Sequence, residues 1–99
     1  MIMRMWRGLV PAEKKQAYVD YLHQTGLADY AATPGNLGVA LLCRDRGDLV
    51  EFVTMTRWDS VESIKAFAGD DYEKARYYPE DDRFLVSKEE LVEHYEVLF

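Results

Sequence analysis

A single cysteine, Cys43, denies this 99-residue chain any internal disulfide, so packing alone must hold it, and a reducing compartment is the expected setting. Histidine is as scarce. His23 and His94 lie far apart in sequence, and with Cys43 they give none of the clustered spacing that a metal site needs. No phosphate-binding glycine loop and no nicotinamide fingerprint occurs, and the expected chemistry uses no cofactor. The first residues are interrupted by Arg4 and Arg7, unlike the apolar core of a signal peptide, and no apolar run is long enough to span a bilayer. A cytoplasmic protein without a membrane partner is expected. Positive charge is in deficit: 12 Lys+Arg against 18 Asp+Glu leave a net charge of −6, a field that repels nucleic acid.

What remains is ordinary globular material, 48% hydrophobic and 30% charged, with an aromatic share of 13% for a core or a pocket wall. The length suits one domain over residues 1–99, small enough that a partner chain would help its burial. Met1–Leu9 reads as a strand. Pro11 suits a first helical turn, and Tyr18, Tyr21, Leu22 and Thr25 follow helical spacing up to Gly26, a natural stop. Pro34-Gly35-Asn36 marks a turn. Leu37–Arg44 and Leu49–Trp58 read as strands joined by a hairpin loop in which Gly47 supplies a positive φ. Asp59 has N-cap character, with Glu62 three residues on, before a helix carried by Val61, Ile64, Phe67 and Ala68 and ended by Gly69. Asp70 and Glu73 suggest a short helix through Arg76, and Leu91–Phe99 a last strand.

The order β-α-β-β-α-β defines an α+β, ferredoxin-like domain with a four-stranded antiparallel sheet and both helices on one face. The strands do not alternate cleanly between apolar and polar. Met3, Met5 and Leu9 oppose Ile2, Arg4 and Trp6; Val39, Leu41 and Cys43 oppose Ala40 and Leu42. Both faces carry enough apolar surface to need cover, and one helix layer covers one face. A second copy packed face to face is the expected solution, a homodimer forming a dimeric α+β barrel.

Arg4-Met5-Trp6-Arg7-Gly8, Trp58-Asp59-Ser60, Phe67-Ala68-Gly69-Asp70-Asp71, Arg76-Tyr77-Tyr78-Pro79-Glu80-Asp81 and Glu93-His94-Tyr95-Glu96-Val97 together give the chain its likeness to a known group. Across almost its whole length it resembles the antibiotic-biosynthesis-monooxygenase-like family of dimeric α+β barrels. The resemblance implies cofactor-free oxidation of aromatic compounds or oxidative haem breakdown, and some relatives have no established activity. The haem-degrading branch places an Asn on the first strand, a Trp in the second helix and an axial His soon after it. The matching regions here hold Trp6-Arg7, Phe67 and Arg76-Tyr77 instead.

By strand parity Arg4 and Trp6 share a face with Thr54, Thr56 and His94. That face is the more polar one and is expected to line the barrel interior, where Trp6 stacks an aromatic ligand and Arg4 holds its phenolate or carboxylate. Alternatively Arg4 pairs with an acid such as Glu96, which has the same parity. His94 has the right ordinary pKa for a general base that makes a carbanion for direct reaction with O₂, or else it is a hydrogen-bonded structural residue. His23 belongs to the surface. Trp58 lines the ligand site or plugs a strand-to-helix corner. Tyr77 and Tyr78 border the cavity mouth, where a phenol can donate to an oxyanion, or they pack against the partner. Cys43 reads as a buried apolar residue. Two functions follow: a cofactor-independent monooxygenase or related isomerase acting on a small aromatic or enolic compound, and a non-catalytic dimeric module that binds a small ligand or a partner.

Overall fold

Strict alternation of burial organises the sheet. The computed structural model describes all residues, Met1–Phe99. In strand β1 (Ile2–Pro11), Arg4, Trp6, Gly8 and Val10 are buried while Met3, Met5, Arg7 and Leu9 between them are half-buried. Strand β3 (Leu49–Trp58) repeats the rhythm with Val50, Phe52, Thr54, Thr56 and Trp58 inside. The two pair antiparallel over their full lengths, Arg4 opposite Thr56 and Trp6 opposite Thr54, so the buried sets share one face. Strand β2 (Asn36–Arg46) pairs with the outer side of β3 and forms an open edge. On the other side of β1 lie two short strands, β4 (Ser87–Lys88) and β5 (Glu93–Glu96). Together they fill the place expected for one strand over Leu91–Phe99, and the sheet has the ferredoxin-like order β2-β3-β1 with β4 and β5 beside β1.

Three helices cover the buried face. From α1 (Lys15–Gln24), Tyr18 and Leu22 pack with Trp6, Val10, Val50 and Phe52. Tyr30 of α2 (Gly26–Ala32) and Ile64 and Phe67 of α3 (Val61–Ala68) pack on Trp58. Gly26 does not stop a helix as expected: it keeps a negative φ, and Thr25 (φ −120°, ψ −98°) makes the break, after which the chain turns into α2. At α3 the cap is Ser60, whose Oγ accepts from the Ser63 N–H at 3.2 Å. Asp59, the expected cap, accepts from the Ser63 hydroxyl instead. Gly47 and Gly69 do take positive φ, at the hairpin and at the end of α3.

The short helix expected over Asp70–Arg76 does not form. Its backbone groups are used elsewhere: Arg4 donates to Tyr72 O and Lys74 O, Val92 N–H donates to Glu73 O, and the Ala75 N–H is spent on Glu90 O. Acceptors spent on the sheet cannot serve a helical i→i−4 ladder, so tertiary bonding overrides the local signal.

A larger correction concerns the faces. Arg4, Trp6, Thr54 and Thr56 look toward the helices, not into a space between two copies. The uncovered face carries Met3, Met5, Val53 and Met55, half-buried, with exposed Leu42 and Tyr95. It is the apolar side that lies bare, which strengthens the case for cover. Cys43 is exposed rather than buried, because β2 runs along the sheet edge beyond the helix layer. No helix is long and apolar enough to cross a membrane.

Ile64 is fully enclosed at the centre of the α3 contact. Ile64→Ala is expected to lower unfolding free energy by about 2–5 kcal/mol in urea denaturation, the usual cost of an unfilled aliphatic site.

Candidate functional site

Between the sheet and the helices lies a cavity built mainly of rings. Arg4, Trp6 and Thr54 come from the strands, Tyr18, Leu22, Tyr30 and Phe67 from the helices, and Arg76, Tyr77, Tyr78 and Asp81 from the segment that follows α3. Its empty space is about 470 Å³ counted out to the open mouth, and water-sized molecules can place their centres in only about 40 Å³ of it. A single water needs roughly 10–15 Å³ on that measure, so the enclosed part holds about three waters, and a ring-sized ligand must extend into the open mouth or displace wall side chains.

Trp6 is fixed from two sides. Its indole N–H donates to Tyr77 Oη at 2.9 Å, and the two rings meet edge to face at 6.3 Å. The Tyr77 hydroxyl in turn donates to Glu89 O, while Lys88 Nζ stands 4.6 Å above the Tyr77 ring. Beneath the indole, Gly8 supplies the room: a Cβ there would lie 2.5 Å from Trp6 Cη2 and 2.9 Å from Leu85 Cδ2.

Arg4 is 2% exposed and carries no carboxylate partner. It donates to Tyr72 O, to Lys74 O at 3.1 Å and to His94 Nε2 at 3.0 Å, and its Nε–H has no partner. The alternative pairing with Glu96 does not occur. Carbonyls satisfy donors without neutralising charge, so the guanidinium keeps its positive field at the cavity wall. Burial lowers its pKa from the ordinary value, yet an arginine so shifted remains a cation at neutral pH.

His94 stands behind Arg4 rather than in the cavity. A guanidinium can only donate, so His94 Nε2 must accept, which fixes the neutral tautomer with its proton on Nδ1. Burial, followed by the positive charge of Arg4, pushes its pKa down to about 4. The ring packs edge to face on Tyr72 at 5.1 Å and borders a separate shallow depression with Met1, Ile2, Tyr95 and Glu96. The lone pair expected to take a substrate proton is engaged with Arg4.

Of the other expected ligand residues, Thr54, Tyr77 and Tyr78 line the cavity. Thr56 and Trp58 do not. Both are fully buried behind the wall, where the Trp58 indole N–H donates to Thr56 Oγ1 at 2.8 Å, so Trp58 is the corner plug. His23 is on the surface. At the mouth the Arg76 guanidinium lies 4.8 Å from the Phe67 ring centre and 5.1 Å from that of Tyr78. It pairs with Asp29 at 3.2 Å, and Asp29 also accepts from the Tyr78 hydroxyl. Sequence reading missed Asp81, Tyr18 and Tyr30 as wall residues. Tyr18 carried a helical signal that placed it inside, but nothing local distinguished Asp81 from its acidic neighbours.

No family model matches the chain, and no curated protein matches it. Solved structures do. A Bacillus cereus protein provisionally named an antibiotic biosynthesis monooxygenase superposes with a TM-score of 0.66 at 17% identity, covering 99% of this chain and 93% of that one. The haem degrader MhuD of Mycobacterium tuberculosis, solved with two haems in its active site, gives a TM-score of 0.65 at 21% identity, with 100% and 97% covered. A mutant of MhuD with two manganese protoporphyrins per active site gives 0.65 at 21%, with 100% and 96% covered. The chain has the fold of the antibiotic-biosynthesis-monooxygenase-like proteins.

The His94 shift has a consequence for stability. Its folded pKa of about 4 lies below the ordinary 6.5, so the unfolded chain binds the extra proton between these values. Stability from this group is present above pH 6.5 and is lost as pH falls toward 4. Urea midpoints at pH 7 and pH 5 are expected to differ more for the native chain than for His94→Gln.

Proposed function

We propose that the chain is a cofactor-independent monooxygenase of a small aromatic or enolic acid, bound in the cavity between sheet and helices. The carrying observation is Arg4, a buried cation with no carboxylate partner at the wall of a ring-lined cavity. A desolvated guanidinium of this kind favours an anionic oxygen and stabilises an enolate or phenolate as it forms. Such an anion reacts directly with O₂. A CH₂ group loses a proton to a base, the carbanion gives its electrons to O₂ and a C–O bond forms; loss of the second C–H proton with O–O cleavage then leaves a ketone and water. The same enolate, reprotonated at another position without O₂, makes an isomerase.

Haem, the ligand of MhuD, does not fit the residues present. No imidazole, thiolate or thioether lines the cavity. The phenols of Tyr18, Tyr77 and Tyr78 are all pushed up by burial, against the phenolate form that would bind iron. The enclosed space is far too small for a porphyrin.

A second reading, a non-catalytic module that binds the same class of ligand, is favoured by the engagement of His94 with Arg4, which removes the one imidazole from proton transfer. In either reading the chain works as a homodimer, its bare face of Met3, Met5, Val53 and Met55 covered by a second copy.

Light scattering at micromolar concentration is expected to give the mass of two chains, and a monomer would overturn the pairing. Oxygen uptake with a panel of anthrones, polyphenols and enolic aromatic acids is expected to find a substrate whose turnover falls at least 100-fold in Arg4→Gln. A compound that binds through Arg4 without any uptake across the panel would leave the binding module as the function.

A further inference from the structure

The short turn after Tyr78 carries three consecutive acids, Glu80, Asp81 and Asp82, and they do not behave alike. Glu80 pairs with Arg83 at 2.7 Å and Asp82 with Lys88 at 2.6 Å, both on the surface. Asp81 turns inward. It is 5% exposed, lines the same cavity as Arg4, and has no cation within ion-pair distance. One carboxylate oxygen, Oδ2, accepts from the Tyr78 N–H at 2.5 Å, which fixes the group. The chain thus buries a cation and an acid in one cavity without joining them. Arg4 is anchored to Tyr72, Lys74 and His94, and Asp81 to the backbone of its own turn.

We propose that Asp81 is the proton acceptor of this cavity, and that the ligand is an aromatic carboxylate carrying an enolisable C–H across the ring from its acid group. The proposal rests on the anion-binding role given to Arg4 above. The carboxylate of the ligand meets Arg4, its ring lies against Trp6 and Phe67, and its activated C–H faces Asp81. In the step itself the C–H bond breaks, the proton passes to an Asp81 carboxylate oxygen, and the electron pair stays on the ligand as an enolate delocalised through the ring toward the carboxylate held by Arg4; no oxidant is consumed. Burial is the main cause that raises the Asp81 pKa above the ordinary carboxylate value, with Asp82 adding to it and the Tyr78 N–H and Lys88 opposing it. Tyr18 and Tyr21 of α1 and Tyr77 face it as neutral phenols. A carboxylate so raised is a stronger base than an exposed one.

The test uses 4-(2-oxopropyl)benzoate under argon in D₂O, with deuterium uptake at its benzylic CH₂ followed by NMR and binding followed by calorimetry. Native protein is expected to bind the probe and speed exchange, with a rate that rises with pH as Asp81 ionises. Asp81→Asn, which keeps the acceptor for Tyr78 N–H, is expected to bind the probe within a few-fold and to lose at least 100-fold in exchange, with no pH rise. Asp81→Glu is expected to restore part of the rate, and His94→Gln to leave the pH rise in place. Exchange that persists in Asp81→Asn with an unchanged pH profile would overturn the assignment, as would native protein that binds the probe without exchanging it. Failure of native protein to bind the probe, or equal binding by Arg4→Gln, would instead defeat the anion-binding role of Arg4 and the proposal with it.

Discussion

The buried guanidinium of Arg4 is the constraint around which the rest of this structure is arranged. Removing a charge from water is costly, and the chain answers with two backbone carbonyls and an imidazole nitrogen rather than a carboxylate. Those partners come from the segment after α3 and from β5, so one side chain on β1 draws three parts of the chain together. It also decides their conformation. Tyr72 O and Lys74 O turn toward Arg4, the neighbouring Glu73 O and Ala75 N–H bond to Val92 N–H and Glu90 O, and the segment becomes a wall of the cavity rather than a helix. The positive field that survives is a by-product of this choice of partners, and it gives the cavity its chemical sign.

Much of the fold was legible in the sequence because it is written in period. The apolar, β-branched and aromatic content of β1 and β3, the helical spacing of Tyr18 and Leu22, and the glycines at 47 and 69 each act locally. The ferredoxin-like order follows from them. Parity also grouped Arg4, Trp6, Thr54 and Thr56 on one face, but parity cannot say which face the helices cover. Polarity was a misleading guide: the face with arginine and threonines is the one inside, because hydrogen bonds such as Trp58 to Thr56 satisfy it there.

The site was less legible than the fold, for a physical reason. Asp81 differs from Glu80 and Asp82 through the direction its turn gives it, fixed by the Tyr78 N–H three residues back, and only the packing of that turn on the rest of the fold buries it. His94 has the ordinary titration range of an imidazole in the sequence, whereas its proton affinity is set first by burial and then by a cation ninety residues away. The structural neighbours share the layout of strands and helices at 17% and 21% identity, a level at which a common scaffold holds different side chains around its cavity.

The absence of a side chain at Gly8 links two positions that would otherwise vary freely. With a methyl carbon at residue 8 placed 2.5 Å from the Trp6 indole, residue 8 can grow only where residue 6 changes with it. A descendant that enlarges residue 8 must shrink or turn residue 6, and with it the Tyr77 hydroxyl loses its indole donor. The shape of the cavity floor is therefore inherited as a two-residue unit, and divergence of ligand preference along this lineage is expected to pass through that unit.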